Sequence, residues 1–244
     1  MVSATATRDE PVLRERVVRV VAESGTKEDV DWIRGIALDT AERTSIRERA
    51  VRELAEDSDS RTLRELFDKL DDPSLEERVV RVMAEIGDAE SKRWLRDLVA
   101  NGTQSVTLRD RAIRSLAEQG DVAYLRSAYR TLNDDALRER VLRSVAEAGG
   151  ADAMTWLAGI VRDTKEGTSL RERAVRSLAE SGAPTSELVS LYDAVPDHTV
   201  RERLVNLLAE RGDRAARDKL RTIATDDPDE GLRQRAVRKL AENR

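Results

Sequence analysis

The sequence predicts an all-α fold in which pairs of helices repeat along the chain, an α-solenoid. Three observations lead to this class. A segment of thirteen residues, LRERAVRSLAESG at 170–182, occurs eight times with variations. Aromatic residues make up only 3% of the chain. Long alternations of apolar and polar residues, which strands would need, are missing. Stacked helix pairs are the architecture that such a repeat typically encodes.

The copies of this segment, which we call the repeat segment, follow a double period. Successive starts are separated by 33, 29, 33, 29, 33, 30 and 32 residues, so pairs of copies total 62 or 63 residues. Position 5 is Val or Leu in odd copies and Ala in even copies. Large and small residues in alternate layers keep the core volume constant, as close packing requires. We therefore interpret the 62-residue period as a packing period. The copies begin at Leu13, Ile46, Leu75, Leu108, Leu137, Leu170, Val200 and Leu232.

Each copy predicts one capped helix. Positions 1, 5, 6, 9 and 10 are apolar, and at the helical period they gather on one side. Turn-forming residues precede the segment, as in DDPS at 71–74. Position 13 is glycine in six copies, which is the expected C-terminal stop of a helix. These glycines are Gly25, Gly87, Gly120, Gly149, Gly182 and Gly212.

A second apolar pattern lies between the copies and predicts a second helix. In SKRWLRDLVA at 91–100, the apolar residues Trp94, Leu95, Leu98 and Val99 have helical spacing. The sequence therefore predicts eight helices of the first kind and seven of the second, about fifteen in total. Neither kind can bury its apolar stripe alone, so neighbouring units must stack and share a core.

The repeat segment resembles HEAT-like repeats, in which one helix of each pair opens with an aliphatic residue and Arg and closes with Leu-Ala or Leu-Gly. The resemblance covers residues 11–244 and implies a right-handed α-α superhelix. It also implies that the helices of the repeat segment line a concave face where solenoids bind partners. The Asp–Arg pairing common in that family is irregular here, because Glu76 replaces the Arg in the third copy. We expect one domain over 11–244 and a disordered or extended segment at 1–10.

The charges are numerous but balanced. There are 43 Lys and Arg residues against 48 Asp and Glu residues, which gives a net charge of −5. Position 4 is Arg in all eight copies, position 7 is Arg in seven, and position 11 is Glu in all eight. Acids at positions 3 and 11 can pair with Arg at position 7 on the same helix. Because a phosphate-binding groove would leave its cations unpaired, we expect a protein or peptide partner and no nucleic acid.

An Arg at position 2 lies within the apolar arc in seven copies. We interpret it as structural, with its stem on the neighbouring unit and its guanidinium bonded to backbone carbonyls or a turn carboxylate. A ligand-binding role is the alternative. These residues are Arg14, Arg47, Arg109, Arg138, Arg171, Arg201 and Arg233.

Three tryptophans, Trp32, Trp94 and Trp156, occupy the same place in successive periods, and Lys219 takes that place in the fourth. We expect them to pack between units with a partly exposed indole edge. A stacking ladder for a ligand or peptide is the alternative.

Position 8 varies freely, and we interpret it as the exposed position that would select a partner on the concave face. The alternative is that these are merely tolerated surface positions. The candidate partner-binding residues are Val20, Glu53, Val82, Ser115, Ser144, Ser177, Leu207 and Lys239.

Motifs for chemistry are missing from the sequence. There is no cysteine, and His198 is the one histidine. HEAT-like deoxyhypusine hydroxylases bind iron through several His-Glu pairs, which this chain does not offer. No Gly-rich phosphate loop or nucleophile elbow is present, and no Asp or Glu breaks the repeating pattern. We therefore expect no catalytic activity, no metal and no cofactor.

The start of the chain, MVSATATRDEP, has neither a basic segment nor an apolar run, and no stretch is apolar enough for a membrane span. We expect a soluble cytoplasmic monomer with no membrane contact. Its predicted function is that of a non-catalytic scaffold for protein or peptide interaction. One alternative is an engineered or idealised HEAT-like repeat protein with a structural role. Another is a HEAT-like nucleic-acid-binding or ligand-processing enzyme, such as a bilin lyase.

Both ends of the repeat array should open more readily than its middle, because a terminal unit has one neighbour instead of two. We expect amide hydrogen exchange at residues 232–240 to be faster than at residues 137–145, the equivalent positions of a central copy. Exchange that is slowest at residues 232–240 would contradict the stacked-repeat fold.

Overall fold

The computed structural model describes residues 6–57 and 60–242, and all regular elements within these ranges are α-helices. The all-α class and the number of helices predicted from the sequence are confirmed. The fifteen helices of the described residues are α1 (Ala6–Ala22), α2 (Lys27–Leu38), α3 (Thr44–Asp57), α4 (Ser60–Phe67), α5 (Pro73–Ile86), α6 (Ala89–Ala100), α7 (Val106–Glu118), α8 (Val122–Ala128), α9 (Asp135–Ala148), α10 (Gly150–Arg162), α11 (Thr168–Glu180), α12 (Thr185–Ala194), α13 (His198–Arg211), α14 (Arg214–Asp226) and α15 (Glu230–Glu242).

The eight repeat segments form the odd-numbered helices, which we call repeat helices, and the even-numbered ones are connecting helices. The first helix starts earlier than predicted. Because α1 begins at Ala6, the expectation of a disordered or extended segment is wrong for residues 6–10. Ala, Arg and Glu are good helix formers and let the helix begin before Pro11. Residues 1–5 lie outside the described residues.

Predicted caps are present at both ends of α5 and α13 and at the start of other repeat helices. Asp134 precedes α9 and accepts a hydrogen bond from the backbone amide of Leu137, and Asp197 does the same for Val200 at the start of α13. Such carboxylates satisfy amides that have no partner within the helix. At the other end, Gly212 follows α13 with φ 60° and ψ 8°. This left-handed conformation stops the helix and is favourable mainly for glycine.

The chain divides into two compact units, Met1–Asp121 and Val122–Arg244. In the first unit the repeat helices pack in order, α1 on α3, α3 on α5 and α5 on α7. The second unit has the same order, α9 on α11, α11 on α13 and α13 on α15. Connecting helices pack against the repeat helix that follows them, as α2 does on α3 and α14 on α15. Stacking of neighbouring repeats is thereby confirmed within each unit, whereas the single domain over 11–244 stays a prediction.

The apolar stripe of each repeat helix forms the core of its unit. In α11, Leu170, Ala174, Val175 and Leu178 have at most 2% of their surface exposed. Position 5 is completely buried in α3 to α15 whether it holds Val, Leu or Ala. Alternation between large and small residues therefore occurs in the core itself, where close packing makes volume matter.

The structural interpretation of the Arg at position 2 is confirmed. Arg47, Arg109 and Arg171 are almost fully buried. Each donates a hydrogen bond through Nε to a backbone carbonyl ten residues earlier, at 3.0, 3.0 and 2.9 Å respectively. Each of these carbonyls belongs to the penultimate residue of a connecting helix, where helical partners are missing. The arginine thus caps one helix from within the next.

Replacement of Arg171 by Ala should lower the free energy of unfolding by about 3 kcal/mol, because it removes the partner of a buried carbonyl. Arg171 Nη1 also lies 3.7 Å from Asp197 Oδ2, a contact that the variant loses. Arg176→Ala is the matched control, since Arg176 is exposed on the same helix. It should change stability by less than about 0.5 kcal/mol. Equal losses in urea unfolding would contradict the capping role.

Candidate functional site

Position 8 of the repeat segment is buried in most copies, so the expectation that it is exposed to a partner is wrong for six of the eight residues. Val20 is 63% exposed and Lys239 is partly exposed. The other six have at most 6% of their surface exposed: Glu53, Val82, Ser115, Ser144, Ser177 and Leu207.

The burial of position 8 follows from helix geometry. It lies seven residues after position 1, which is almost two full turns, so both positions fall on the same side of the helix. That side faces position 10 of the preceding repeat helix, where every copy has Ala. Ser115 of α7 and Ala84 of α5 line one groove, and Glu53 of α3 and Ala22 of α1 line one small cavity. A small residue at position 10 lets the two helices approach closely.

The exposed surface of the repeat helices includes positions 4, 7 and 11, which we call the charged face. Arg81 and Arg176 at position 7 are exposed, and so are Glu85 and Glu118 at position 11. Position 4 is only partly exposed in α3 to α15. These side chains, rather than those at position 8, are accessible to a partner.

The ion pairs differ from those predicted. Of the pairs expected within one helix, Arg114–Asp110 and Arg19–Glu23 lie within ion-pair distance in the described residues. In the same ranges, no carboxylate lies within that distance of Arg81, Arg143 or Arg176. The row at position 7 therefore keeps guanidinium groups that a partner can bind.

Several arginines at position 4 instead reach the preceding repeat helix. Arg111 Nη2 of α7 lies 4.0 Å from Glu77 Oε2 of α5, and Arg235 of α15 pairs with Glu202 of α13. Arg235 Nε also donates to Asn206 Oδ1 at 2.9 Å. Sequence reasoning missed these pairs because it counted spacings within one helix only. An Arg in all eight copies was the signal that this position serves the joint between helices.

Grooves run between neighbouring repeat helices on the charged face. The groove between α5 and α7 has a volume of about 450 Å³. An equivalent groove of about 260 Å³ lies between α13 and α15. Both are bordered by positions 4, 7 and 11, so the repeat recreates one kind of site in each unit. The charged residues of the first groove are Arg81, Glu85, Arg111, Arg114 and Glu118.

A second polar cluster, around Tyr192, is closed to partners. The Tyr192 hydroxyl donates to Asp227 Oδ2 at 2.6 Å, and Arg201 pairs with the same carboxylate. The Arg201 guanidinium carbon lies 4.4 Å from the centroid of the Tyr192 ring. Burial raises the pKa of the Tyr192 hydroxyl, so it remains a hydrogen-bond donor. Because the hydroxyl, the carboxylate and the guanidinium group bind one another, the cluster stabilises the second unit internally.

The same cluster recurs one period earlier as Tyr129, Arg138 and Glu166. Tyr129 donates to Glu166 Oε2 at 3.0 Å, and Arg138 pairs with that carboxylate and covers the ring. Tyr129 and Tyr192 each stand nine residues before the arginine. That constant spacing was the signal in the sequence, and it was overlooked.

At the corresponding place one period earlier still, all three polar groups of this cluster are replaced together. Phe67 stands in place of the tyrosine, Glu76 in place of the arginine and Gln104 in place of the acid. Burial, and then Asp72 and Asp71, raise the pKa of Glu76. A ring without a hydroxyl group needs no acceptor, which agrees with the joint replacement.

The interpretation of the tryptophans as packing residues is confirmed for two of them. Trp94 packs edge to face on Phe67 with centroids 5.0 Å apart, and Trp156 packs in the same way on Tyr129 at 5.3 Å. Each ring pair joins residues of successive connecting segments in one unit. Trp32 is 44% exposed.

His198 lies at the start of α13, and its Nδ1 is 2.6 Å from Asp229 Oδ2. This hydrogen bond lowers the pKa of Asp229, whose other oxygen accepts from the backbone amide of Leu232. Within residues 6–57 and 60–242, no group of three or more His, Asp or Glu side chains is arranged to hold a metal ion. No helix in these ranges is both long and apolar enough to cross a membrane.

A family model described as HEAT repeats matches residues 165–241. The resemblance inferred from the repeat segment is thereby confirmed, and the chain contains HEAT-like repeats. The matched residues begin just before α11 and end within α15. No curated protein is similar enough in sequence to count as a relative.

Three solved structures show similar helical repeats. Human deoxyhypusine hydroxylase is 17% identical, with 97% of this chain and 99% of that chain covered and a TM-score of 0.40. The CpcE–CpcF complex of the phycocyanin lyase from Nostoc sp. PCC7120 is 17% identical, with 86% and 88% covered and a TM-score of 0.37. The myosin-folding chaperone UNC-45 is 15% identical, with 88% of this chain and 29% of that chain covered and a TM-score of 0.29. These values concern the fold and carry no argument about function.

One of these structures corrects a prediction. We expected from the sequence that the chain is not an enzyme, and the similarity to deoxyhypusine hydroxylase, an enzyme, contradicts that expectation. Helical repeats of this kind are compatible with catalysis, because function depends on the residues of a site and not on the fold. At 17% identity the similarity identifies no reaction.

Replacement of Ser177 by Trp should lower the free energy of unfolding by about 2 kcal/mol or more, because position 8 is fully buried and a much larger side chain does not fit there. Arg176→Trp changes the neighbouring exposed residue and should have a small effect. Ser177→Ala should be neutral or slightly stabilising, since the Ser177 hydroxyl has no hydrogen-bond partner. If Ser177→Trp were as well tolerated as Arg176→Trp in thermal unfolding, position 8 would be exposed after all.

Proposed function

We propose that the protein is a repeat scaffold that binds a protein or peptide segment of mixed charge through the charged face of its repeat helices. The observation that carries this proposal is the groove of about 450 Å³ between α5 and α7. Three arginines and two glutamates line it, together with the side chains of Ser115 and Gln119. Its size is in the range typical of ligand-binding clefts.

The arginines of this groove differ in whether they already have an ion-pair partner. Arg111 and Arg114 already contact Glu77 and Asp110, whereas Arg81 is exposed and has no ion-pair partner within the described residues. A guanidinium group presents several donors in a fixed plane and can bind a carboxylate through two hydrogen bonds. Arg81 is therefore the residue that we expect to contribute most to the binding of an acidic side chain.

The acids of the same face call for a partner that also carries basic residues. On each repeat helix, positions 7 and 11 are one turn apart, so the row of arginines runs beside a row of glutamates. Glu85 and Glu118 are exposed at the rim of the groove. A partner with acidic and basic residues in matching register would satisfy both rows.

The same glutamates argue against nucleic acid as the partner. A polyphosphate backbone approaching Arg81 would also approach Glu85 and Glu118. Repulsion from those carboxylates would offset part of the attraction, and the net charge of the chain is −5. The absence of a nucleic-acid partner, like the concave position of this face, stays a prediction.

The proposal is tested with peptides selected from a random display library against the purified protein. We expect the selected peptides to carry both signs of charge and to bind less tightly at high salt. Arg81→Glu and Glu118→Arg should each weaken binding by about tenfold, a loss of about 1.4 kcal/mol. Fluorescence anisotropy of labelled synthetic peptides measures these affinities.

Arg93→Glu and Glu90→Arg on α6 are the matched controls, because both residues are exposed on a connecting helix of the same unit. They make identical changes of charge away from the groove and should leave the affinity unchanged. A peptide with reversed charges should recover binding to the Arg81→Glu variant. Equal losses from the α6 controls, or selection of no peptide at all, would contradict the proposal.

A further inference from the structure

The first repeat helix exposes an apolar surface that is buried in the other copies. On α1, Leu13 at position 1 is 61% exposed, Val17 at position 5 is 43% exposed and Val20 at position 8 is 63% exposed. In α3 to α15, positions 1 and 5 are at most 2% exposed. We call the surface formed by positions 1, 5 and 8 of a repeat helix its back face, because it packs towards the preceding repeat.

The last repeat helix exposes the opposite surface. Val237 at position 6 of α15 is 54% exposed, whereas position 6 is fully buried in α1 to α13. Ala241 at position 10 is also exposed, and Leu240 at position 9 is partly exposed. We call the surface formed by positions 6, 9 and 10 the forward face, because it packs towards the following repeat.

Within each unit, the forward face of one repeat helix meets the back face of the next. Ala84 at position 10 of α5 lies beside Ser115 at position 8 of α7. The same joint is fastened by Gln119 of α7, whose Nε2 donates to the carbonyl oxygen of Ala84 at 2.7 Å. Joints of this kind form between α1 and α3, α3 and α5, and α5 and α7, and again from α9 to α15. The two exposed faces are therefore the two halves of a joint that the chain builds repeatedly.

The geometry points to head-to-tail association of this protein, in which the forward face of α15 in one copy packs on the back face of α1 in a second copy. The structure favours a second copy as the partner of this surface. At each internal joint a back face meets a forward face, and the last helix of a second copy exposes a forward face. This contact uses neither the charged face nor the grooves of the proposed function.

The packing period continues across the proposed joint. The last copy is an even one with Ala236 at position 5, and the first is an odd one with Val17. The step from α15 to α1 is therefore an even-to-odd step, like the steps from α3 to α5 and from α11 to α13. Because large and small residues alternate as they do inside the chain, the joint should pack without a cavity or a clash.

The proposed joint lacks one ion pair of the internal joints. Arg235 at position 4 of α15 pairs with Glu202 at position 3 of α13. In the proposed joint, Arg16 at position 4 of α1 would meet position 3 of α15 in the other copy. Gln234 replaces the acid of position 3, so the joint lacks a counterpart of the Arg235–Glu202 pair. The association should therefore be weaker than the internal joints.

Trp32 is not part of the proposed contact, although it is exposed in the same unit. Trp94 and Trp156 pack on Phe67 and Tyr129, which come from the preceding connecting segment. A repeat helix docking on α1 brings no equivalent ring to Trp32.

Sedimentation velocity of the full chain over a wide concentration range tests the proposal. A head-to-tail contact leaves one free face at each end, so the average mass should rise continuously with concentration. Leu13→Glu removes one face and Val237→Glu removes the other, and each should abolish the rise. Both residues are more than half exposed, so circular dichroism should show unchanged folding. Val106→Glu, at the exposed first residue of α7, is the control that should associate as the unaltered chain does.

Mixing the two variants tests directly whether a forward face binds a back face. The Leu13→Glu variant keeps its forward face and the Val237→Glu variant keeps its back face, so an equimolar mixture should form dimers and nothing larger. Association of the Val237→Glu variant with itself would indicate contact between two back faces and overturn the head-to-tail arrangement. A monomeric mass for the unaltered chain at all concentrations, or failure of the mixture to dimerise, would equally overturn the proposal.

Discussion

Each repeat helix must bury two faces at once, one against the helix before it and one against the helix after it. The alanine at position 10 makes this possible, because its small side chain lets the next helix approach closely enough to cover position 8. Once both faces are covered, the charged residues at positions 4, 7 and 11 remain accessible to solvent. The charged face, the grooves and the two exposed ends all follow from this requirement.

The polar groups that remain inside serve the same stacking. Arginines at position 2 cap the connecting helices, and the clusters around Tyr129 and Tyr192 give each buried hydroxyl and carboxylate a partner. Buried polar groups are costly unless they are hydrogen-bonded, so these networks restrict how a repeat can be placed on its neighbour. The arginines at position 7 have no such structural role in α5 and α11, where they are exposed. They are the part of the repeat that can vary its contacts without loss of the fold.

Much of the fold could be predicted from the sequence because it depends on local patterns. The helical period, the glycine stops and the double packing period each involve residues close together in the chain. The site was harder, because it depends on contacts between helices. Variation at position 8 predicts an exposed position, yet its spacing of seven from position 1 places it on the buried side, as Ser177 shows. The pairing of Arg235 with Glu202 required knowledge of which helices are neighbours.

Each repeat helix is thus buried on two sides and open to solvent on one. Because the chain has no cysteine, single cysteines can be introduced one at a time along α11, from residue 170 to residue 180, and their reaction rates with a thiol reagent compared. Burial on two sides predicts fast reaction at 176 and 180 and strong protection at 170, 174, 175, 177 and 178. Reaction at 177 as fast as at 176 would contradict it, since position 8 would then be open to solvent.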